Sequence, residues 1–205
     1  MRLALSMFAA VCTFPTVALA HHVNDGRPPA SFFEGLLSGL AHPVLGLDHL
    51  VFILAAGLAA GALSLGLRMP ALFIMSSIAG LGMQLSHINV PLAEAAVAGS
   101  ILLLGLAIGS RSGIGSKIWM ALFIGAGLLH GYAYGESIVG APYSPLFGYL
   151  VGLGVVQGVL ASLTYLAGRK LADGAGAAAP ELKHLGALVA VIGAVFFIVA
   201  LIPGA

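Results

Sequence analysis

Six apolar stretches follow one another along this chain of 205 residues, near 43–67, 70–86, 92–110, 117–134, 144–167 and 184–202. Each is close to the ~20 residues that carry a helix across a bilayer. In hydrocarbon every backbone N–H and C=O must be paired within the protein, which leaves helices as the form for long continuous apolar runs. The fold class is therefore all-α, a polytopic membrane helix bundle. Composition agrees: 60% of residues are hydrophobic and only 7% are charged, against roughly 25% in a soluble domain. The formal net charge is +1, so nothing points to nucleic acid.

The first residues read as a targeting segment. Met1-Arg2 is a short basic start, Leu3 to Leu19 is mostly apolar, and Ala18-Leu19-Ala20 fits a small-residue cleavage site. We expect residues 1–20 to be a signal peptide and 21–205 a single transmembrane domain. Cys12, the one cysteine, falls inside the signal peptide. The mature chain then has no thiol, so any metal is held by nitrogen and oxygen, with methionine sulfur as the soft exception. Cleavage would leave His21-His22 at the amino terminus, either a chelating pair or a tether.

Two independent signals set the orientation. A cleaved signal leaves the mature N-terminus outside. Counting spans inward, the cytoplasmic connections then hold Arg68, then Arg111 and Lys117, then Arg169, Lys170 and Lys183. Those are all the Lys and Arg residues after Arg27, as the positive-inside rule requires. Both mature termini are expected in the periplasm of a bacterial inner-membrane protein. The Ala/Gly-rich stretch 171–180 reads as a cytoplasmic linker.

Glycines recur at small-xxx-small spacing in Gly57/Gly61, Gly105/Gly109, Gly127/Gly131, Gly148/Gly152 and Gly154/Gly158. That spacing lets helix backbones approach closely in lipid, and we read all five pairs as packing faces. Residues 31–41 form a lead-in helix too short to span. The run from there to residue 67 is too long for one straight crossing at ~1.5 Å per residue. A break at His42-Pro43 is expected, with Pro43 opening the next helix.

Ionisable groups inside a membrane are costly and are functional by default. His42 lies at the start of the first span with Asp48 and His49 about two turns inside its outer end, Gln84 and His87 close the second, Glu94 opens the third, and His130 sits in the outer part of the fourth, followed by Glu136. Positions far apart in sequence thus share one outer layer. We take His42, Asp48, His49, His87, Glu94, His130 and Glu136 as the candidate metal-ligating residues. His49 and His130 are the core ligands, with Asp48 a third ligand or an acceptor fixing an imidazole. Plainer roles stand beside these: His42 as a helix-start group, His87 as an interfacial histidine, Glu94 as an acidic group suiting a helix N-terminus. Gln157 either joins an ion path or hydrogen-bonds a neighbour. Met75 and Met83 read as packing, and His184 as solvated.

The pattern His42-Pro43, Gly46, Asp48-His49 and Phe52 resembles the HPxxGxDHxxF signature of the HupE/UreJ family of nickel and cobalt permeases. Pro91-Leu92-Ala93-Glu94 with Ser100 is similar to that family's third-span motif. His130-Gly131-Tyr132-Ala133-Tyr134-Gly135-Glu136 resembles its HGxAHGxE motif, with Tyr134 where the family has a histidine. The resemblance spans nearly the whole chain. It implies secondary uptake of Ni(II), and of Co(II), to supply hydrogenase or urease, with the metal as cargo and no permanently bound cofactor. It also puts Tyr134 in place of a ligand, as a weaker oxygen contact or as none. The partners are then the metal ion and the lipid bilayer. The chain carries no ATPase motif, and its oligomeric state is open, a homo-oligomer included.

Two other classes fit parts of the pattern. An intramembrane zinc hydrolase would use two or three His/Asp ligands with an open position, assisted by Ser86, Ser100 or Ser137, but no HExxH-type motif is present. A metal-binding accessory or sensor protein would need the same cluster and no flux. We expect no enzymatic activity. A three-plus-three inverted repeat is not supported, because His49 comes early in its span and His130 late.

Overall fold

The computed structural model describes residues 28–110, 113–175 and 180–202. The expected signal peptide, Cys12 and His21-His22 lie outside the described residues. Those residues form seven helices and no strand: α1 (Phe32–Leu45), α2 (Leu47–Ala62), α3 (Arg68–Leu85), α4 (Ala93–Gly109), α5 (Ser116–Glu136), α6 (Tyr143–Ala175) and α7 (Pro180–Ala200). By length and apolarity, α5, α6 and α7 each suffice to cross a membrane, and α1 with α2 makes a fourth crossing if the bent pair counts as one span. At 17 residues α4 is apolar but shorter. This is a helical membrane protein.

The lead-in helix starts with a capping box. Ser31 Oγ accepts from the Glu34 N–H, and Glu34 reaches back to the N–H of Ala30 at 2.9 Å. Its end differs from expectation. The helix does not stop at His42-Pro43; it continues through Pro43 to Leu45 and breaks at Gly46, where ψ opens to 98°. Pro43 removes one N–H near the helix end, which a last turn tolerates, and the Gly46 N–H still closes that turn on the His42 carbonyl at 2.9 Å. The chain then turns by 78° into α2. Asp48 and His49 therefore sit in the first turn of a new helix, not part-way down a straight span. Helix α6 also runs further than expected, to Ala175, so the first part of the expected linker is helical.

Glycines sort the helices into three tightly joined units. In the first, α6 lies parallel to the broken α1–α2 span. A Cβ on Gly35 would strike the Pro145 carbonyl, one on Gly148 the Phe32 carbonyl, and one on Gly61 the Tyr165 carbonyl. In the second, α3 and α5 run parallel, with Gly80 against Leu128, Gly127 against Phe73 and Gly131 against Ser77. In the third, α4 and α7 are antiparallel, with Gly105 against Ala190 and Gly193 against Leu102. In each case the clash would be with backbone, which cannot step aside. Four of the five glycine pairs read from sequence lie at these seams, although Gly109 makes only ordinary contact with Gly186 at 3.8 Å. Gly154 and Gly158 are the exception. A side chain there would meet nothing within 4 Å, so their spacing is not a packing face among the described residues. A shared apolar core, with Phe52, Phe73, Ile101, Leu104 and Phe123 at its centre, joins the three units.

Candidate metal site at the helix break

The break at Gly46 brings three histidines from distant parts of the chain into one buried cluster. His42 ends α1, His49 starts α2 and His130 lies in α5; their exposures are 2%, 0% and 0%. His49 Nδ1 lies 2.8 Å from His130 Nδ1, and the His42 and His49 ring centroids are 5.6 Å apart. Asp48, still 21% exposed, accepts from the His49 backbone N–H at 2.8 Å, and its Oδ1 lies 4.0 Å from His49 Nε2. Residues adjacent on a helix point ~100° apart. Capping the start of α2 lets this carboxylate and imidazole face one another all the same.

The hydrogen bonds link each imidazole to a hydroxyl or to another imidazole, and Ser100 sets one order of donors along the chain. Ser100 Oγ donates to the Val97 carbonyl at 2.6 Å, so it accepts from His130 Nε2–H, 3.0 Å away. His130 Nδ1 is then the acceptor, and His49 donates to it through Nδ1–H. The Tyr149 hydroxyl lies 2.9 Å from the Tyr134 carbonyl and 2.8 Å from His42 Nδ1, and its single proton serves one of the two. Ser137 supports the same corner, 3.0 Å from His42 Nδ1 and 3.1 Å from the Tyr149 oxygen. The Ser100–His130–His49 chain leaves Nε2 as the basic nitrogen of His49. That tautomer, held by an outer hydrogen bond, is the one a ligating imidazole needs.

Tyr134 packs against both rings, with centroids 4.4 Å from His49 and 5.2 Å from His42. It is wholly buried, and its hydroxyl has no hydrogen-bond partner among the described residues. Beneath the cluster, Phe52 and Phe73 stack on each other at 4.8 Å and wall His130 at 4.7 and 5.4 Å. The nearby donors are thus imidazole nitrogen, carboxylate and phenol oxygen, a set suited to a first-row divalent ion without thiolate. As they stand, no three His, Cys, Asp or Glu side chains among the described residues converge tightly enough to hold one ion.

The other candidates lie apart from the buried cluster. His87 is exposed and occupies the left-handed position, φ 57°, just beyond α3. Its N–H bonds Gln84 at 2.9 Å and the next N–H bonds Met83 at 3.1 Å, a Schellman ending that gives His87 a backbone role. Glu94 is exposed in the first turn of α4, and Glu136 is exposed at the end of α5. Tyr149 belongs to the site and was not foreseen from sequence. Its signal was general: a tyrosine inside an apolar span must place its hydroxyl somewhere. Ser100 and Ser137, considered above as catalytic assistants in the hydrolase alternative, hold the imidazoles instead. With its proton on the Val97 carbonyl, Ser100 is not arranged as a nucleophile activated by His130. Gln157 in α6 is wholly buried, and neither of its amide atoms has a hydrogen-bond partner among the described residues. Such an unmet amide costs roughly 1–3 kcal/mol by mutational measures.

A polytopic membrane protein with a buried histidine cluster at a broken helix is the class that fold and site define. A sequence model of the HupE / UreJ protein family matches residues 9–196, and the chain belongs to that family. It is 29% identical over 147 residues to Protein HupE of Rhizobium leguminosarum bv. viciae, covering 70% of this chain and 71% of the relative. No solved structure matches it.

Proposed function

We propose that this protein is a secondary permease that takes up a divalent transition-metal ion, Ni(II) first and Co(II) second, from periplasm to cytoplasm. The observation that carries the reading is the buried cluster of His42, His49 and His130 at the helix break, with the Asp48 carboxylate beside His49. Broken helices with polar groups at the break are a recurrent way for transporters to build an ion site. Asp48, the partly exposed member, receives the ion from the outer side. The ion exchanges water for Asp48 and His49, with His42 and the Tyr134 hydroxyl within reach. Recruiting His130 requires its bond to His49 to open. Phe52 and Phe73 close the inward side, so passage needs movement between the helix units.

The same reading has six spans, with α1–α2 crossing as one, and both mature termini periplasmic. The helix directions support it: first and fifth spans parallel, second and fourth parallel, third and sixth antiparallel. A chain that crosses alternately gives that parity. Membership of the HupE / UreJ family supports supply of a nickel enzyme as the purpose.

The test is Ni(II) and Co(II) entry into proteoliposomes containing a metal-sensitive dye, comparing wild type with His49→Ala. Flux in the wild type and none in the variant is the expected result. Absence of flux in a correctly folded wild type that still binds metal would replace the permease with a non-transporting binding protein.

A further inference from the structure

Helix α6 touches the two halves of the broken span in turn. On one side, Gly39 packs on Tyr149 and Leu153, and Gly152 packs on Leu36 and Leu40. On the other, Gly57 packs on Ala161 and Thr164, and Gly61 on Tyr165 and Arg169. Between these seams α6 advances about two turns, from Leu153 to Ala161. Over the same distance the broken α1–α2 span makes its whole detour, from Gly39 out through His42, Gly46, Asp48 and His49 and back to Gly57. Gln157 stands at the midpoint of that gap, one turn from Leu153 and one turn from Ala161, both buried.

Its side chain is 0% exposed, and its amide nitrogen and oxygen both lack a hydrogen-bond partner among the described residues. Of the two roles open to Gln157 from sequence, bonding a neighbour is therefore not what is observed. Tyr149, which holds His42, lies eight positions earlier in α6, about 12 Å along the axis. Gly39 packs against Tyr149 and Leu153, so His42, three residues on, comes level with Leu153, and Gln157 lies about one turn beyond it, toward the end of α6 that carries Arg169 and Lys170, the cytoplasmic end in the proposed topology.

We propose that Gln157 forms a second cation position, inward of the histidine cluster, where its carboxamide oxygen ligates a divalent ion that keeps part of its water shell. The inference rests on the permease reading and extends it. A neutral amide oxygen is a weaker donor for a transition metal than imidazole or carboxylate. An ion handed from Asp48 and His49 to Gln157 therefore moves to a looser site. Conduction needs binding that is weak enough, and shared among enough sites, for the ion to leave.

The experiment is calorimetric titration of the purified full chain in detergent with Ni(II) alone, on wild type, His49→Ala, Gln157→Leu and Gln157→Met, with proteoliposome flux measured in parallel. Wild type should show two classes of sites, the second at least tenfold weaker. His49→Ala should remove the tighter class and Gln157→Leu the weaker one. Gln157→Leu should also melt no lower than wild type and lower flux at least tenfold. Gln157→Met keeps the side-chain length without the amide and serves if the leucine variant does not fold. A single class in wild type, or both classes retained in a folded Gln157 variant, would overturn the proposal. Failure of both variants to fold would also overturn it, since the amide would then have a structural partner. Two classes that respond as described, in a protein that passes no Ni(II), would leave the cation position standing and remove the permease reading instead.

Discussion

Two kinds of interface hold this bundle together, and they differ in what they tolerate. Inside each helix unit, glycine backbones lie directly on neighbouring backbone, as at Gly131 on Ser77 or Gly39 on Tyr149. Between units, the site is joined by side chains: His49 to His130, His42 to Ser137, Ser100 to His130 and Tyr149 to the Tyr134 carbonyl. The first kind is rigid, because a carbonyl cannot yield to an added methyl. The second kind is made of exchangeable hydrogen bonds, which an ion can replace one by one. The candidate site lies at the junction between the units, among these side-chain contacts.

That contrast can be broken in several places. The largest effect is expected from Gly131→Leu, which drives a side chain into the Ser77 backbone. Overpacking of this sort costs ~3 kcal/mol or more, and size-exclusion chromatography in detergent should show no monodisperse protein. A folded variant would mean the seam can open. At the junction, His49→Ala should leave a folded protein, weakened by ~1–3 kcal/mol because His130 loses its partner. Its Ni(II) flux should fall by at least ~10–100-fold, the range known for weaker outer-shell losses. Near-normal uptake by that variant would move the site elsewhere.

Smaller changes sharpen the same comparison. Tyr134→Phe removes a buried hydroxyl that has no partner among the described residues. Thermal stability should therefore hold or rise by about 1 kcal/mol, while Ni(II) affinity drops several-fold. Unchanged affinity would make Tyr134 a spacer and not an oxygen donor. Least of all should follow from Gly154→Ala and Gly158→Ala, where added methyls meet nothing within 4 Å. Each should shift stability by less than ~1 kcal/mol, and upward if helix propensity decides. Loss of folding in a melting assay would restore those glycines as a packing face.

Much of the fold was legible because the bilayer permits so few solutions. The helices α3, α4, α5 and α7 lie within four residues at each end of the apolar stretches read from sequence. The break in the first span was foreseeable from length, but its place was not. Proline was the obvious breaker, yet near the end of α1 it costs only one hydrogen bond, and the extended backbone fell to Gly46. Among the site residues, His42, Asp48, His49 and His130 were marked by the cost of ionisable groups in apolar runs. Tyr149 carried no such mark. The exposed His87, Glu94 and Glu136 were marked equally well, because sequence reports depth along a helix and not the face on which a side chain lies.

Composition and apolar run length by themselves determined an all-α membrane protein and its order of helices. These follow from backbone pairing in hydrocarbon and the cost of charge there, both of which act residue by residue. Which helices pair, which imidazole nitrogen is left basic, and that Gln157 is buried with no hydrogen-bond partner among the described residues were decided only by tertiary structure. Each depends on the distance between atoms far apart in the chain, and that distance is set where glycine seams bring whole helices together.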